Sequence, residues 1–393
     1  MRIFLIAGET SGDQLGGGLM RALRAACPEV TFCGVGGHAM TAAGLVSLYP
    51  LDELAVMGFV PVLRHLPRLL KRIEETAAAV VAARPDALVI IDSPDFTHRV
   101  ARRVRRMLPH VPIIDYVSPT VWAWRSGRAR RMRPYIDHVL ALLPFEPEAY
   151  RRLGGPPCSY VGHPLVERRK DLTPGPEDLR RRNKGPPVLV VLPGSRHSEV
   201  DRLMPVFART LPLLAEQAGP FESVLPAVPH LMARIRAEIT DWPVKPCVIS
   251  SEAAKFSSFR HARAALAASG TVTLELALAG VPMAVAYRVA PLESLLRFVI
   301  KVPSIVLPNL ILGERLVPEF LQEACTPEAL AGALATLLKD GPERETQSRG
   351  FADVAQRLLA TGGQTPSNCA AAIIFETIAR AAGGRSPGDA SGT

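Results

Sequence analysis

Met1-Arg2-Ile3-Phe4-Leu5-Ile6-Ala7-Gly8-Glu9-Thr10-Ser11-Gly12-Asp13 opens the chain, and Val188-Leu189-Val190-Val191-Leu192-Pro193-Gly194-Ser195-Arg196 repeats its plan near the middle. Each begins with a short, unbroken apolar run. Continuous rather than alternating apolar character predicts a strand buried on both faces, as in a parallel sheet. A glycine turn follows each run and leads into a helical pattern, the β-turn-α opening of a Rossmann-like unit. Two such openings predict an α/β protein made of two Rossmann-like domains facing each other across a cleft.

Working outward, helices are expected near 15–26 and 67–83, and strands at 87–91 and 111–116. In the second half, strands are expected near 223–227, 246–250, 264–268 and 283–287, with mostly helix from about 327 to 382. Residues 166–187 are rich in charge and proline without periodicity and read as a linker. The expected domains are therefore 1–165 and 188–365, followed by a helix at 366–383 and a small, polar, flexible tail at 384–393.

The 393 residues are 48% hydrophobic and 21% charged, which excludes wholesale disorder. Lys plus Arg number 46 against 37 Asp plus Glu, and the net charge of +9 favours anionic partners such as nucleotide phosphates, nucleic acid or an anionic membrane. The six cysteines form no C-x-x-C pair and predict neither a disulfide framework nor a zinc site. No apolar stretch reaches the length of a membrane span. The expected location is the cytoplasm.

Four segments could carry chemistry. In Gly8 to Gly16, glycines at a strand-to-helix turn let the backbone approach a ligand, while Ser11 or Asp13 could equally cap the following helix. In Ile90-Ile91-Asp92-Ser93-Pro94-Asp95-Phe96, two carboxylates lie just past a buried strand, at the sheet edge that faces ligands in open α/β folds. One could act as general base; alternatively Asp92 caps the turn and Asp95 opens a helix. Pro193-Gly194-Ser195-Arg196 sets a guanidinium beside a glycine turn and a helix N-terminus, a combination suited to diphosphate. Ser269-Gly270-Thr271 repeats the theme, with Glu275 one helical turn later and able to reach a ribose.

Basic runs at 99–106 and 125–133 read either as solvated helix faces or as sites for nucleic acid or phospholipid headgroups. Segment 57–72 mixes Met57, Phe59, Val60, Leu63, Leu66, Leu69 and Leu70 with cations, as an interfacial segment that grips acyl chains would, or an amphipathic core helix. Trp122-Ala123-Trp124 beside Arg125 could anchor at an interface or pack between domains.

Taken in order, these motifs resemble the lipid-A-disaccharide synthase family, glycosyltransferases of the two-domain GT-B class. The resemblance runs through Ala7–Asp13, Gly34–Gly37, Val56–Phe59, Ile91–Phe96, Tyr116–Arg125, Leu143–Glu146, Val161–Pro164, Leu192–Arg196, Ala268–Thr271 and Val306–Leu310. Thr10, His38 and the stretch Gln14–Gly18 depart from the family pattern, at turns.

The resemblance implies an inverting transfer. UDP-2,3-diacylglucosamine donates its sugar to 2,3-diacylglucosamine 1-phosphate (lipid X), giving a β-1,6 disaccharide and UDP. It implies Asp95 as the base, and Arg196 with the Gly194-Ser195 and Ser269-Gly270-Thr271 turns on the diphosphate. Glu275 would hold the ribose, Asn309 would line the donor side, and Ser11, Gly12 and Asp13 would face the cleft from the N-domain. No metal or other cofactor is required in this scheme. The helix at 366–383 would pack back on the N-domain, and a homodimer through the C-terminal region fits the family. The lipid substrates place the protein peripherally at the inner membrane surface. A UDP-N-acetylglucosamine 2-epimerase or a peptidoglycan glycosyltransferase would share the donor logic. A nucleic-acid-binding protein would account for the charge but not for two strand-turn-helix sites, so no nucleic acid partner is expected.

Overall fold

The computed structural model describes residues 1–54, 59–289 and 303–383. They divide into two compact units, residues 1–164 joined by the chain from 359 onward, and residues 165–358.

In the first unit, β1 (Arg2–Ala7), β2 (Thr31–Val35), β3 (Ala87–Ile91), β4 (Ile113–Tyr116), β5 (His138–Ala141) and β6 (Cys158–Tyr160) form one parallel sheet in the order β2-β1-β3-β4-β5-β6. Its helices are α1 (Thr10–Ala26), α2 (His38–Ala42), α3 (Phe59–Ala83), α4 (Pro94–Met107), α5 (Gly127–Met132) and α6 (Glu146–Leu153). Side chains alternate across the strands, so both faces of the sheet are covered. Phe4, Ile6, Leu88 and Ile90 enter one core, while Ile3, Leu5, Val89 and Ile91 enter the other. The second of these cores also takes Ala370, Ala371 and Ile374 from the helix Pro366–Gly383, which packs on α1.

The second unit has β7 (Val188–Leu192), β8 (Glu222–Pro226), β9 (Cys247–Ile249), β10 (Ala264–Ala268), β11 (Met283–Tyr287) and β12 (Glu319–Leu321), all parallel, in the order β12-β11-β10-β7-β8-β9. Around them lie α7 (Arg169–Leu172), α8 (Pro176–Lys184), α9 (His197–Ala218), α10 (Met232–Glu238), α11 (Glu252–His261) and α12 (Val272–Leu278). Strand order reverses between β1 and β3 in the first sheet and between β7 and β10 in the second. At such switch points adjacent loops diverge to opposite faces and leave a crevice beyond the strand ends.

Residues 166–187 are not a linker. They carry α7 and α8 and belong to the second unit. Arg182, buried, donates to the carbonyl oxygens of Phe259, Arg260, Ala279 and Gly280 at 2.9–3.1 Å. Burial lowers its pKa to about 10, which leaves the guanidinium charged near neutral pH, and four carbonyl partners stabilise that charge. A charge-rich, aperiodic stretch thus becomes structural because one of its cations staples two turns of the unit. The chain also leaves this unit at 358 rather than 365.

The helix expected at 67–83 begins at Phe59, but Met57 and the side chains of Phe59, Val60, Leu63 and Leu66 lie outside the described residues, as does the tail 384–393. Leu69 and Leu70 are half-buried against the first unit's core, so these two belong to the fold rather than to a free acyl-contacting face. Among the described residues, no helix is long and apolar enough to cross a membrane.

Candidate active site

At the switch point of the second sheet, the turns after β7 and β10 enclose a cavity of about 470 Å³. Gly194, Ser195, Arg196, Ser269, Gly270, Thr271 and Glu275, seven of the eight residues expected there, line it. Gly194 has φ +114°, and a Cβ on it would stand 2.4 Å from Glu199 Oε2, so only glycine permits the turn. Glu199 closes back on that turn. Its Oε2 accepts from the amides of Ser195 (3.0 Å) and Arg196 (3.3 Å), and its Oε1 from Arg196 Nη1 (2.9 Å). The Ser195 and Arg196 amides therefore cap α9 instead of standing open for a diphosphate, because the acid three residues into the helix reaches them first. The Arg196 side chain is 70% exposed and keeps further N–H groups for a ligand.

Glu275 lies one turn into α12, with Oε2 2.6 Å from Lys255 Nζ on α11. Lys255 also lies over the rings of Phe256 and Phe259. This lysine lines the cavity and was not singled out by sequence. It sits in an ordinary helical pattern, and the only available hint was the scarcity of lysine, seven in the chain.

Asn309 does not line this cavity. It is buried, with Nδ2 donating to the Val317 carbonyl (2.9 Å) and Glu319 Oε1 (2.8 Å), and Oδ1 accepting from the Val317 amide (2.8 Å). Glu319 Oε2 accepts from the Ile305 amide, and the Ile305 carbonyl accepts from Ser269 Oγ at 2.7 Å. Asn309 thus acts on the Ser269 turn through two intermediaries, as a brace.

In the first unit, the turn between β3 and α4 is strained, with Asp92 at φ 58° and Ser93 at φ 46°. Asp92 Oδ1 accepts from the Ser93 amide (2.7 Å) and Oδ2 from Ser11 Oγ (3.1 Å), so Asp92 holds the turn. Gly8 is needed because a Cβ there would fall 2.1 Å from Ser93 Cβ. Asp95, the second residue of α4, projects from this turn, its side chain 86% exposed and its Oδ1 3.6 Å from Arg128 Nη2.

Two of the three N-terminal loop residues are placed differently from expectation. Gly12 and Asp13 are buried. Asp13 accepts from the amides of Gly37 (2.7 Å), Ala39 (2.8 Å) and Met40 (3.0 Å), capping α2 rather than its own helix or a ligand. Ser11 is exposed and bonded to Asp92.

The family model described as lipid-A-disaccharide synthetase matches residues 3–374. The lipid-A-disaccharide synthase of Nitrobacter hamburgensis is 56% identical over 379 residues, 96% of each chain. That of Ruegeria pomeroyi is 43% identical, again over 96% of each. The chain belongs to the lipid-A-disaccharide synthase family. It is accordingly a glycosyltransferase of lipid A disaccharide synthesis.

Solved structures similar to this synthase include the UDP-GlcNAc 2-epimerase of Neisseria meningitidis bound to UDP-GlcNAc, with TM-score 0.60, 12% identity, and 97% of this chain and 100% of that chain covered. Another is Acinetobacter baumannii MurG, with TM-score 0.58, 13% identity and coverage of 95% and 99%. At such identities they establish the GT-B arrangement of two Rossmann-like domains, and no more.

In this family member the segment Tyr116–Arg125 is tied down by Glu146. Glu146 Oε1 accepts from Trp122 Nε1 (3.0 Å) and Oε2 from the Leu143 amide (2.9 Å), while Trp122 packs edge-on against Phe145. Burial raises the pKa of Glu146 to about 7, against the opposing pull of those hydrogen bonds. Trp122 therefore belongs to the packing of the first unit, whereas Trp124 remains exposed.

Proposed function

We propose that this synthase joins UDP-2,3-diacylglucosamine to 2,3-diacylglucosamine 1-phosphate by a single inverting displacement. The reading rests on family membership together with one observation: seven of the eight residues assigned to the donor from sequence, all but Asn309, line a single cavity at the switch point of the second sheet. In this reading the UDP moiety occupies that cavity. Glu275, held by Lys255, accepts from the ribose hydroxyls, and Arg196 carries the diphosphate with the start of α12. Asp95 takes the proton of the acceptor 6-hydroxyl as its oxygen bonds to the anomeric carbon. The bond from that carbon to the diphosphate oxygen breaks, the configuration changes from α to β, and UDP leaves with the electron pair, its charge stabilised by Arg196. The acyl chains of both substrates call for access at a membrane surface, a role that the apolar and basic residues of segment 57–72 other than Leu69 and Leu70 suit by their composition.

Purified protein incubated with both substrates should release UDP and form the β-1,6 disaccharide, and Asp95→Ala should lower kcat by about a hundredfold or more while leaving UDP affinity unchanged. Absence of product with the wild type would overturn the reading. Equal rates for wild type and variant would remove Asp95 from it.

A further inference from the structure

Beside Asp95 lies a second cavity, of about 440 Å³, wholly within the first unit and lined by Arg99, Arg102, Arg125, Arg128 and Arg131, with Asp95 its one acid. Arg99 and Arg102 stand three apart on α4, Arg128 and Arg131 three apart on α5, so each helix turns two guanidinium groups onto the same hollow. Arginines on solvated faces have no reason to gather around one concavity, where they repel one another.

Two of the five are also held in place. Arg102 Nη2 donates to Tyr135 Oη (3.1 Å), and its guanidinium lies 4.8 Å over the Tyr135 ring. Tyr135 Oη is in turn 3.1 Å from Nδ1 of buried His98, whose Nε2 stands 3.1 Å from Oδ2 of buried Asp115. Hydrogen bonds thus link Arg102, Tyr135 and buried His98, with Asp115 beside the His98 ring, and hold Arg102 from inside the unit at the pocket wall. Arg125 is kept in a left-handed backbone conformation, φ 53°, with its guanidinium 4.3 Å over the Trp124 ring; Trp124 Nε1 donates to Thr120 Oγ1 at 2.9 Å. Among the described residues, Arg128 is the one of the five with a carboxylate partner, Asp95, at 3.6 Å. Orientation of this kind is characteristic of sites that receive a ligand.

We propose that this pocket is a phosphomonoester site and that its ligand in the proposed reaction is the 1-phosphate of the acceptor. The assignment rests on the reading given above. A phosphomonoester carries close to two negative charges and three terminal oxygens, and planar guanidinium forks meet such oxygens two at a time. Seated here, the phosphate would set the acceptor sugar alongside Asp95 and select the phosphorylated acceptor over its dephosphorylated counterpart. The same cations could instead attract anionic lipid headgroups, and the test separates the two sources.

The test uses the full chain and the double variant Arg99→Gln/Arg131→Gln, two exposed positions whose replacement leaves the His98–Tyr135 chain intact. Arg21→Gln/Arg152→Gln removes the same charge elsewhere on the unit as a control. Acceptors with and without the 1-phosphate are compared, vesicles of phosphatidylcholine with and without phosphatidylglycerol report headgroup binding, and calorimetry reports glucosamine 1-phosphate binding. The expected result is a KM for the phosphorylated acceptor raised about tenfold or more in the pocket variant, an unchanged rate on the dephosphorylated acceptor, unchanged vesicle binding, and an unaffected control. Equal losses on both acceptors, or a loss confined to phosphatidylglycerol vesicles, would overturn the assignment. If the wild type makes no disaccharide at all, the reaction reading fails, and calorimetry decides the pocket: binding of glucosamine 1-phosphate that the pocket variant loses upholds it, and binding that persists or never occurs rejects it.

Discussion

Lys255 Nζ lies 2.6 Å from Glu275 Oε2, an ion pair between α11 and α12 on the wall of the second unit's cavity. Glu275 is 14% exposed and Lys255 27%, so both charges are largely withdrawn from water and each depends on the other. Lys255→Met removes the Glu275 carboxylate's direct ion-pair partner. It should destabilise the protein by about 1–3 kcal/mol, and adding Glu275→Gln should recover a substantial part of that loss. Chemical denaturation of the two singles and the double forms the cycle. Simple additivity of the losses would show the pair to be uncoupled. Calorimetric UDP titration of the same set should show that Glu275→Gln weakens nucleotide binding even where stability is preserved.

Asp13 serves α2. Three main-chain amides donate to its carboxylate at 2.7–3.0 Å. Asp13→Ala should lower stability by about 2–4 kcal/mol, read as a fall of roughly 5–10 °C in the thermal midpoint of the first unit. Asp13→Asn, which retains one acceptor oxygen, should fall in between. A variant with an unaltered thermal midpoint and abolished activity would instead return Asp13 to the ligand-facing role expected from sequence.

Glu146 and His163 give stability opposite pH dependences. Burial raises Glu146 to about 7, so the folded protein holds that proton more tightly than the unfolded chain. The resulting stabilisation is complete below the unfolded value and is lost as pH rises through about 7, a change on the order of 3 kcal/mol. His163 is lowered to about 4 by burial, so its contribution is complete above pH 6.5 and is lost as pH falls toward 4. Between pH 4.5 and 6.5 the two slopes oppose each other. Glu146→Gln removes one of them, so its stability should fall more steeply on acidification across that window than the wild type's. Urea unfolding at half-unit pH steps measures this directly. Parallel profiles for the two proteins would show that Glu146 does not titrate there.

The strands that build each sheet's centre were legible because their signal is local. Ile3–Ala7, Ala87–Ile91, Val188–Leu192 and Ala264–Ala268 are unbroken apolar runs, and burial on both faces of a parallel sheet requires nothing beyond that. Edge strands such as β2, β6 and β12 went unread because, at three to five residues with partly exposed side chains, they carry almost no periodicity. The linker reading failed for a related reason. The residue that folds 166–187 into the second unit, Arg182, is indistinguishable in sequence from the arginines around it until its four carbonyl partners converge.

The amino-acid sequence by itself determined the two-part α/β architecture, the family, and the turns at Gly194 and Gly270, since strand burial and glycine turns are encoded within a few neighbouring residues. The tertiary structure alone decided what each polar side chain does. It gave Asp13 to α2, withdrew Asn309 into a brace, gave the Ser195 and Arg196 amides to Glu199, set Lys255 against Glu275, and collected five arginines from two helices around one hollow. Hydrogen bonds and ion pairs act over about 3 Å, and strand order brings together residues that lie tens of positions apart in the chain.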